Sequence, residues 1–397
     1  MTLSRIGRIS RAFVVSMAVV LGMSACGGYT VGFMWVTGTQ YNQIAGFKID
    51  DYTGNLTNMV NSPYSSGGAN PVSISVRIGG NFVFVVNKGT GKGDGNVSVF
   101  AVGEDGILTF QASYSTAGNT PVWVSGDSTG SFLYVLDSQA PDFATTGNGD
   151  ITVFSVDGST GRLQLVPNQL IKNAQGQQLN YFEVGKVPTM LRVGGSCVYT
   201  VDSGDQTIYP YGVGGQGQLT VESNSTIKTG GTNITSINVT GNNVYLTDAG
   251  TNQILPYTQG GGCSLAAQVD GAVANLPLTS NPTYSMTDSK NKFLYVLNHS
   301  TTNGNNVYSS ISAFVIESTG ALVPISDPQN PYPVGNGPTC MIEDPSSQYV
   351  YTSNNNDGSV TGKYINQNTG QLSDLPRGST FPATGLATCL AVSGNVD

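Results

Sequence analysis

The chain has 397 residues, of which 10% are charged and 52 are Gly, and 24 acidic residues against 16 Lys and Arg give it a net charge of −8. This balance argues against a nucleic-acid partner, because phosphate binding needs clustered Lys and Arg and the sequence has no such cluster. A single histidine, His299, leaves no plausible zinc site, and no cofactor is expected.

At the N-terminus, Arg5, Arg8 and Arg11 precede an apolar stretch from Ala12 to Met23 that is too short to span a bilayer comfortably. Residues 1–25 therefore read as an export signal, and its removal takes the net charge to −11. The run Met23-Ser24-Ala25-Cys26-Gly27-Gly28 resembles the lipobox of bacterial lipoproteins, with Met23 where Leu is usual. That resemblance implies diacylation of Cys26, a tether over residues 26–32 and a lipid as the only membrane anchor, on a protein facing the periplasm or cell surface. The alternative is an ordinary cleaved signal with an incidental Cys.

From residue 33 onward a two-part template recurs seven times. Its first part is a strand ending in Asn or Asp: Phe82 to Asn87, Phe132 to Asp137, Cys197 to Asp202, Val244 to Asp248, Phe293 to Asn298 and Tyr349 to Asn354, with Phe33 to Gly38 as a degenerate copy. Its second part is a strand with an aromatic near its end, followed by Gly-x-Leu, as in Gly54/Leu56, Gly106/Leu108 and Gly161/Leu163, while Cys263/Leu265 replaces the Gly. Gly supplies the positive φ that a tight hairpin needs. A strand led by Pro or its substitute precedes each unit, for example Pro71-Val72-Ser73 and Pro338-Thr339-Cys340.

These repeats predict an all-β fold over residues 33–397: a seven-bladed β-propeller of four-stranded antiparallel blades, with strands A to D running outward from the axis. The N-terminus supplies strands B, C and D of one blade, and Thr388 to Val392 supply its missing strand A, closing the ring. Asp127, Asp288 and Asp344 fall at equivalent A-to-B turns, which points to turn capping. Strand order places the B-to-C segments 88–95, 138–149 and 299–309 and the blade connection 168–187 on one entrance face. Long connections on a rigid scaffold are where binding usually resides. The stretch from Asp142 to Asp150 matches no recognised calcium loop, and no metal site is assigned.

Four cysteines besides Cys26 allow three pairings in an oxidising compartment. Cys340 and Cys389 occupy the same place in the innermost strands of adjacent blades. Cys197 begins a strand B, and Cys263 takes the hairpin Gly position of the next blade. Pairing is expected as Cys340 with Cys389 and Cys197 with Cys263, against four buried free thiols as the alternative.

The Tyr-Val-x-Asn strands, the Pro-Ser/Thr lead-ins and hairpins such as Asp51-Tyr52-Thr53-Gly54-Asn55-Leu56 and Gly158-Ser159-Thr160-Gly161-Arg162-Leu163 resemble the seven-bladed lactonase family. This family includes propeller-type 6-phosphogluconolactonases and YVTN-repeat surface proteins. The resemblance covers residues 33 to 394 and implies hydrolysis of a lactone, with His, Arg and Glu at one mouth of the central channel. It also implies a His two places after many of the blade-leading Pro residues. Here those places hold Ser73, Trp123, Met190, Tyr284, Cys340 and Cys389, and none is His.

The remaining candidates are His299 as general base, Glu183 as acid or base, and Arg192 for a carboxylate or phosphate. Each also reads as a solvated or salt-bridged surface residue. Trp123 and Tyr284 suit stacking on a sugar ring, or fill space between blades. Two functions follow. One is a lactonase-like hydrolase of a sugar-derived lactone outside the cytoplasm. The other is a non-enzymatic propeller that binds a protein, a glycan or a cell-wall ligand on its loop-rich face.

Overall fold

Runs of Val, Phe, Tyr and Leu long enough for one strand and bounded by Gly, Asn or Asp fold here as short strands that are buried on both faces, as in Phe82–Asn87. Burial on both faces arises because each sheet packs between two others around a ring. The computed structural model describes residues 29–172, 175–221, 226–268, 274–277, 280–303 and 306–394. Residues 1–25, read above as an export signal, and Cys26 lie outside the described residues.

Seven antiparallel sheets each run D–C–B–A from rim to axis. The A strands are Ala387–Gly394 in blade 1, then Pro71–Val76, Pro121–Gly126, Pro188–Gly194, Ile234–Thr240, Pro282–Thr287 and Pro338–Glu343 in blades 2 to 7. Closure is as expected from the repeats. Ala387–Gly394 pairs with strand B of blade 1, Thr30–Gly38, in the register Phe33↔Ser393 and Trp35↔Ala391. At the inner edge, hydroxyls link neighbouring A strands: Thr235 Oγ1 donates to Pro282 O at 2.7 Å, Thr283 to Pro338 O at 3.0 Å and Thr388 to Pro71 O at 2.7 Å.

A second inter-blade contact repeats farther out. A residue at or near the start of strand B lies against the hairpin Gly of the next blade, so closely that a Cβ on Gly54, Gly106, Gly161, Gly217 or Gly370 would come within 2.5 Å of Tyr349, Phe33, Phe82, Phe132 or Phe293 respectively. Between blades 4 and 5 these two places hold Cys197 and Cys263, which form a disulfide. Cys263 keeps the glycine-like φ of 56°. The second disulfide, Cys340–Cys389, joins the A strands of blades 7 and 1. Both pairings are those expected from repeat position.

Three features differ from the sequence reading. The outermost strand is continuous only in blade 2, at Leu108–Tyr114. In the other blades it breaks after about three residues and resumes as a second short piece paired with strand C, as in Leu163–Leu165 and Phe182–Lys186 of blade 3. The interval in blade 3 holds a hairpin, Asn168–Lys172 with Gln178–Leu179. That hairpin packs beside Gln218, at the C-to-D turn of blade 4, with Gln218 Nε2 donating to Pro167 O at 2.7 Å. The first part of the 168–187 connection therefore sits at the rim toward the face opposite the entrance, because it interrupts strand D rather than following it. Residues 299–303 and 306–309 are not an irregular loop either. Strands B and C of blade 6 extend to Phe293–Asn303 and Asn306–Ile316, an arm of paired backbone built from Ser, Thr and Asn.

Candidate functional site

Seven A strands enclose the channel, and the side chains two residues after each strand's first position point at its upper wall. Ser73, Met190, Ser236, Tyr284, Cys340 and Cys389 are buried there, and Trp123 is half-buried. Trp123 and Tyr284 stand on blades 3 and 6, on opposite sides of the ring. Their rings meet across the axis with centroids 6.2 Å apart and planes 30° apart. Large side chains at these two positions thus bridge the channel just inside the entrance.

Arg192 reaches the same place from blade 4. Its Nε donates to Ile237 O and its Nη2 to the Tyr284 hydroxyl, both at 3.3 Å, and its Cζ lies 5.7 Å from the Tyr284 ring centroid. This is cation–π range. Arg192 is half-buried, and among the described residues the ion pairs are Lys48–Asp105 and Lys363–Asp374, so its charge has no carboxylate partner. The planar guanidinium is fixed by a carbonyl and a phenol and retains donors for an anion.

The other two candidates are elsewhere. Glu183 lies on the rim piece of blade 3, opposite Asp150 of strand C, with strands C, B and A between it and the axis. Its Oε1 accepts from Asn148 Nδ2 at 2.5 Å. Proximity in sequence to the Pro188 strand suggested the channel, but the broken strand D carries Glu183 to the rim. His299 is exposed on the blade 6 arm. Its backbone is held by Asn281 O at 3.1 Å and by the Ser309 hydroxyl at 2.6 Å, while its imidazole makes no hydrogen bond or ion pair among the described residues. His299, Glu183 and Arg192 are therefore not gathered into one constellation. Trp123, Tyr284 and Arg192 are.

The sequence reading did not single out one group on the entrance side of blade 3. Asp137 and Asp150 face each other across strands B and C, both fully buried. Burial pushes the Asp137 carboxyl up to about 7 against hydrogen bonds from Thr116 and Thr152, and pushes Asp150 well above the usual range, with the Asp137 charge adding to the rise. The signal available was the strand-ending Asp of the repeat, with no indication that its cross-strand partner was also acidic.

As assembled, the channel site offers an aromatic face, a phenol and an unneutralised cation. Among the described residues no carboxylate or imidazole touches any of them, and activation of water on a lactone carbonyl requires a base.

A family profile for the seven-bladed β-propeller lactonases matches residues 29–177 and 257–385. The interval between the matched parts contains Arg192. Among solved structures, a putative 6-phosphogluconolactonase from Bacteroides fragilis is 17% identical with a TM-score of 0.70, covering 92% of this chain and 98% of that one. The periplasmic gluconolactonase of Pseudomonas aeruginosa is 16% identical with a TM-score of 0.69, covering 92% and 99%. A Lactobacillus plantarum protein is 15% identical with a TM-score of 0.70, covering 92% and 100%. No curated protein sequence matches the chain. At these identities the structural likeness establishes the fold, and the profile establishes the kinship: the chain belongs to the seven-bladed β-propeller lactonase family.

Proposed function

We propose that the protein is an exported, lipid-anchored propeller that binds a sugar-derived acid or lactone at the entrance of its channel, and that it acts as a binding protein rather than a hydrolase. One observation carries this reading: Arg192 is held against Tyr284, opposite Trp123, with no carboxylate or imidazole in contact among the described residues. An aromatic face suits the apolar side of a sugar ring, and the guanidinium suits a carboxylate. Two disulfides support an oxidising compartment, and the apolar segment followed by Ser24-Ala25-Cys26 supports the anchor.

Calorimetric titration with gluconate and with glucono-lactone tests the reading. Binding that is lost in Arg192→Gln and weakened at least tenfold in Trp123→Ala supports it. Equal affinity in all three proteins overturns it. Family membership favours a second reading, lactone hydrolysis with His299 as base. Turnover above the no-enzyme rate that disappears in His299→Ala would establish that reading instead. The anchor is tested by labelling with a radioactive fatty acid, which Cys26→Ser should abolish.

A further inference from the structure

Toward the entrance end of blades 2 to 7, the Asn or Asp of strand B that closes each repeat meets a residue of strand C. In blades 2 and 4 to 7 the opposed residues are Asn87 with Asn96, Asp202 with Thr207, Asp248 with Gln253, Asn298 with Ser310 and Asn354 with Ser359. None of these pairs has two acids. In blade 2 the contact is a neutral hydrogen bond, with Asn87 Nδ2 donating to Asn96 Oδ1 at 2.9 Å. Blade 3 has the same backbone register with Asp137 opposite Asp150.

Among the described residues no cation pairs with either carboxyl. Thr116 Oγ1 donates to Asp137 Oδ1 at 2.8 Å, and Thr152 Oγ1, with one proton to donate, lies 3.4 Å from Asp137 Oδ2 and 3.5 Å from Asp150 Oδ2. Asp150 Oδ1 is buried and has no partner. Gly118, on the connection leading into strand A, closes over the pair. A Cβ there would lie 2.3 Å from Asp150 Oδ1 and 2.5 Å from Asp137 Cβ. The titratable groups facing the pair are Asp142 from the B-to-C segment, Glu183 and Tyr181 from the rim strand and Tyr211 from blade 4. Lys186, at the far end of the rim strand, is exposed and makes no ion pair among the described residues. Two ionised carboxyls in such a place are strongly disfavoured, and the rise of both pKa values agrees with the geometry.

We infer that Asp137 and Asp150 form a shared-proton clasp between strands B and C of blade 3, closed while one carboxyl is protonated and opened when both ionise. The same clasp holds two entrance segments together. Ala117 N donates to Thr152 Oγ1 at 2.9 Å, and Asn119 N donates to Gln139 O at 3.0 Å. Opening it loosens residues 115–120 and 138–147 on the face that carries the channel mouth. This inference does not depend on what the channel binds.

The sign follows from linkage. A carboxyl protonated in the folded chain and ionised in the unfolded one contributes stability that is full below about pH 4 and is lost as pH rises through about 7. Unfolding equilibria of wild type, Asp150→Asn and Asp137→Asn should be measured across that range. Each Asn replaces one of the two carboxyls by an amide that can donate to the other, as Asn87 donates to Asn96 in blade 2. The wild-type unfolding constant is expected to rise up to about tenfold per pH unit more steeply than that of either variant. Amide exchange on the wild type alone reads the same event, as faster exchange confined to residues 115–120 and 138–150 above about pH 7. Parallel pH profiles in all three proteins, or pH-independent exchange in those segments, would overturn the clasp. So would stabilisation by millimolar calcium at about pH 8 in wild type but not in the variants, since the charges would then be held by a cation and not by a proton.

Discussion

Asp127, Asp288 and Asp344 each point one carboxylate oxygen at two consecutive backbone amides of an A-to-B turn. Asp288 Oδ1 accepts from Lys292 N at 2.6 Å and Phe293 N at 2.7 Å, Asp344 Oδ1 from Gln348 N at 2.8 Å and Tyr349 N at 2.7 Å, and Asp127 Oδ1 from Ser131 N and Phe132 N at 2.8 Å. Their role is to start strand B in the right register, as the repetition in sequence indicated. Asp344→Ala leaves two buried amide donors unmet and is expected to cost about 2 kcal/mol in urea unfolding, with Asp344→Asn costing less because it keeps an acceptor. A neighbouring acid behaves differently. Glu343 accepts from Ser289 N at 2.6 Å but is pushed up to about 7, chiefly by desolvation, with the Ser289 bond opposing and the Asp288 and Asp344 charges adding. Its folded value lies above the unfolded one, so its contribution is present at low pH and lost as pH rises toward about 7. Glu343→Gln should therefore unfold at a higher midpoint than wild type at about pH 8, with the difference shrinking toward pH 4. Equal midpoints at both ends would show that folding does not raise the Glu343 pKa.

At the scale of the element, Cys197–Cys263 stands where the blades around it place an aromatic against a glycine. Replacing both cysteines by Ser opens a 66-residue separation and should cost about 4 kcal/mol by chain entropy. Cys197→Phe with Cys263→Gly should recover part of that loss without a covalent bond, because Gly suits the positive φ of position 263 and Phe fills the space left by sulfur. Thermal melts of the three proteins with and without reductant check this, and a Phe/Gly variant no more stable than the Ser/Ser one would contradict it. This disulfide was legible in the sequence because both cysteines fall on numbered positions of the repeat. The broken D strands were not, since only the Gly-x-Leu start carries a signal and the resumed piece, such as Tyr64–Ser65 or Ala274–Asn275, is too short to show alternation. The arm carrying His299 read as a loop because its Ser, Thr and Asn residues carry no strand propensity as a group, and backbone pairing with the facing strand decides its form. In the candidate site, Trp123 and Tyr284 could be placed at the channel mouth from the Pro register, but their contact across the axis needed the ring's diameter, which no single repeat encodes.

For the whole molecule, stability rests on a circle that one C-terminal strand completes. Strand Ala387–Gly394 supplies the inner edge of blade 1, buries Ala387, Cys389, Leu390 and Ala391, and carries the Thr388 hydroxyl that reaches Pro71 O in blade 2. It also bears one half of the Cys340–Cys389 disulfide. Strand and disulfide are separable. Cys340→Ser with Cys389→Ser keeps every backbone pair of the closure and loses a cross-link over a separation of 49 residues, so it should still unfold in one transition at a lower midpoint. A chain ending at Leu386 loses the strand itself. The backbone of Thr30–Gly38 then becomes a free edge, its buried Phe33, Met34, Trp35 and Val36 lose their inner neighbour, and blades 7 and 2 lose the partner between them. The deficit approaches the roughly 5–15 kcal/mol that holds an ordinary domain together. The truncated chain is expected to aggregate on size-exclusion chromatography and to show no cooperative melt, whereas the double Ser variant elutes as wild type. A truncated chain with a sharp transition would mean that six complete blades sustain the ring without the seventh's innermost strand, and that closure serves the entrance site more than the fold.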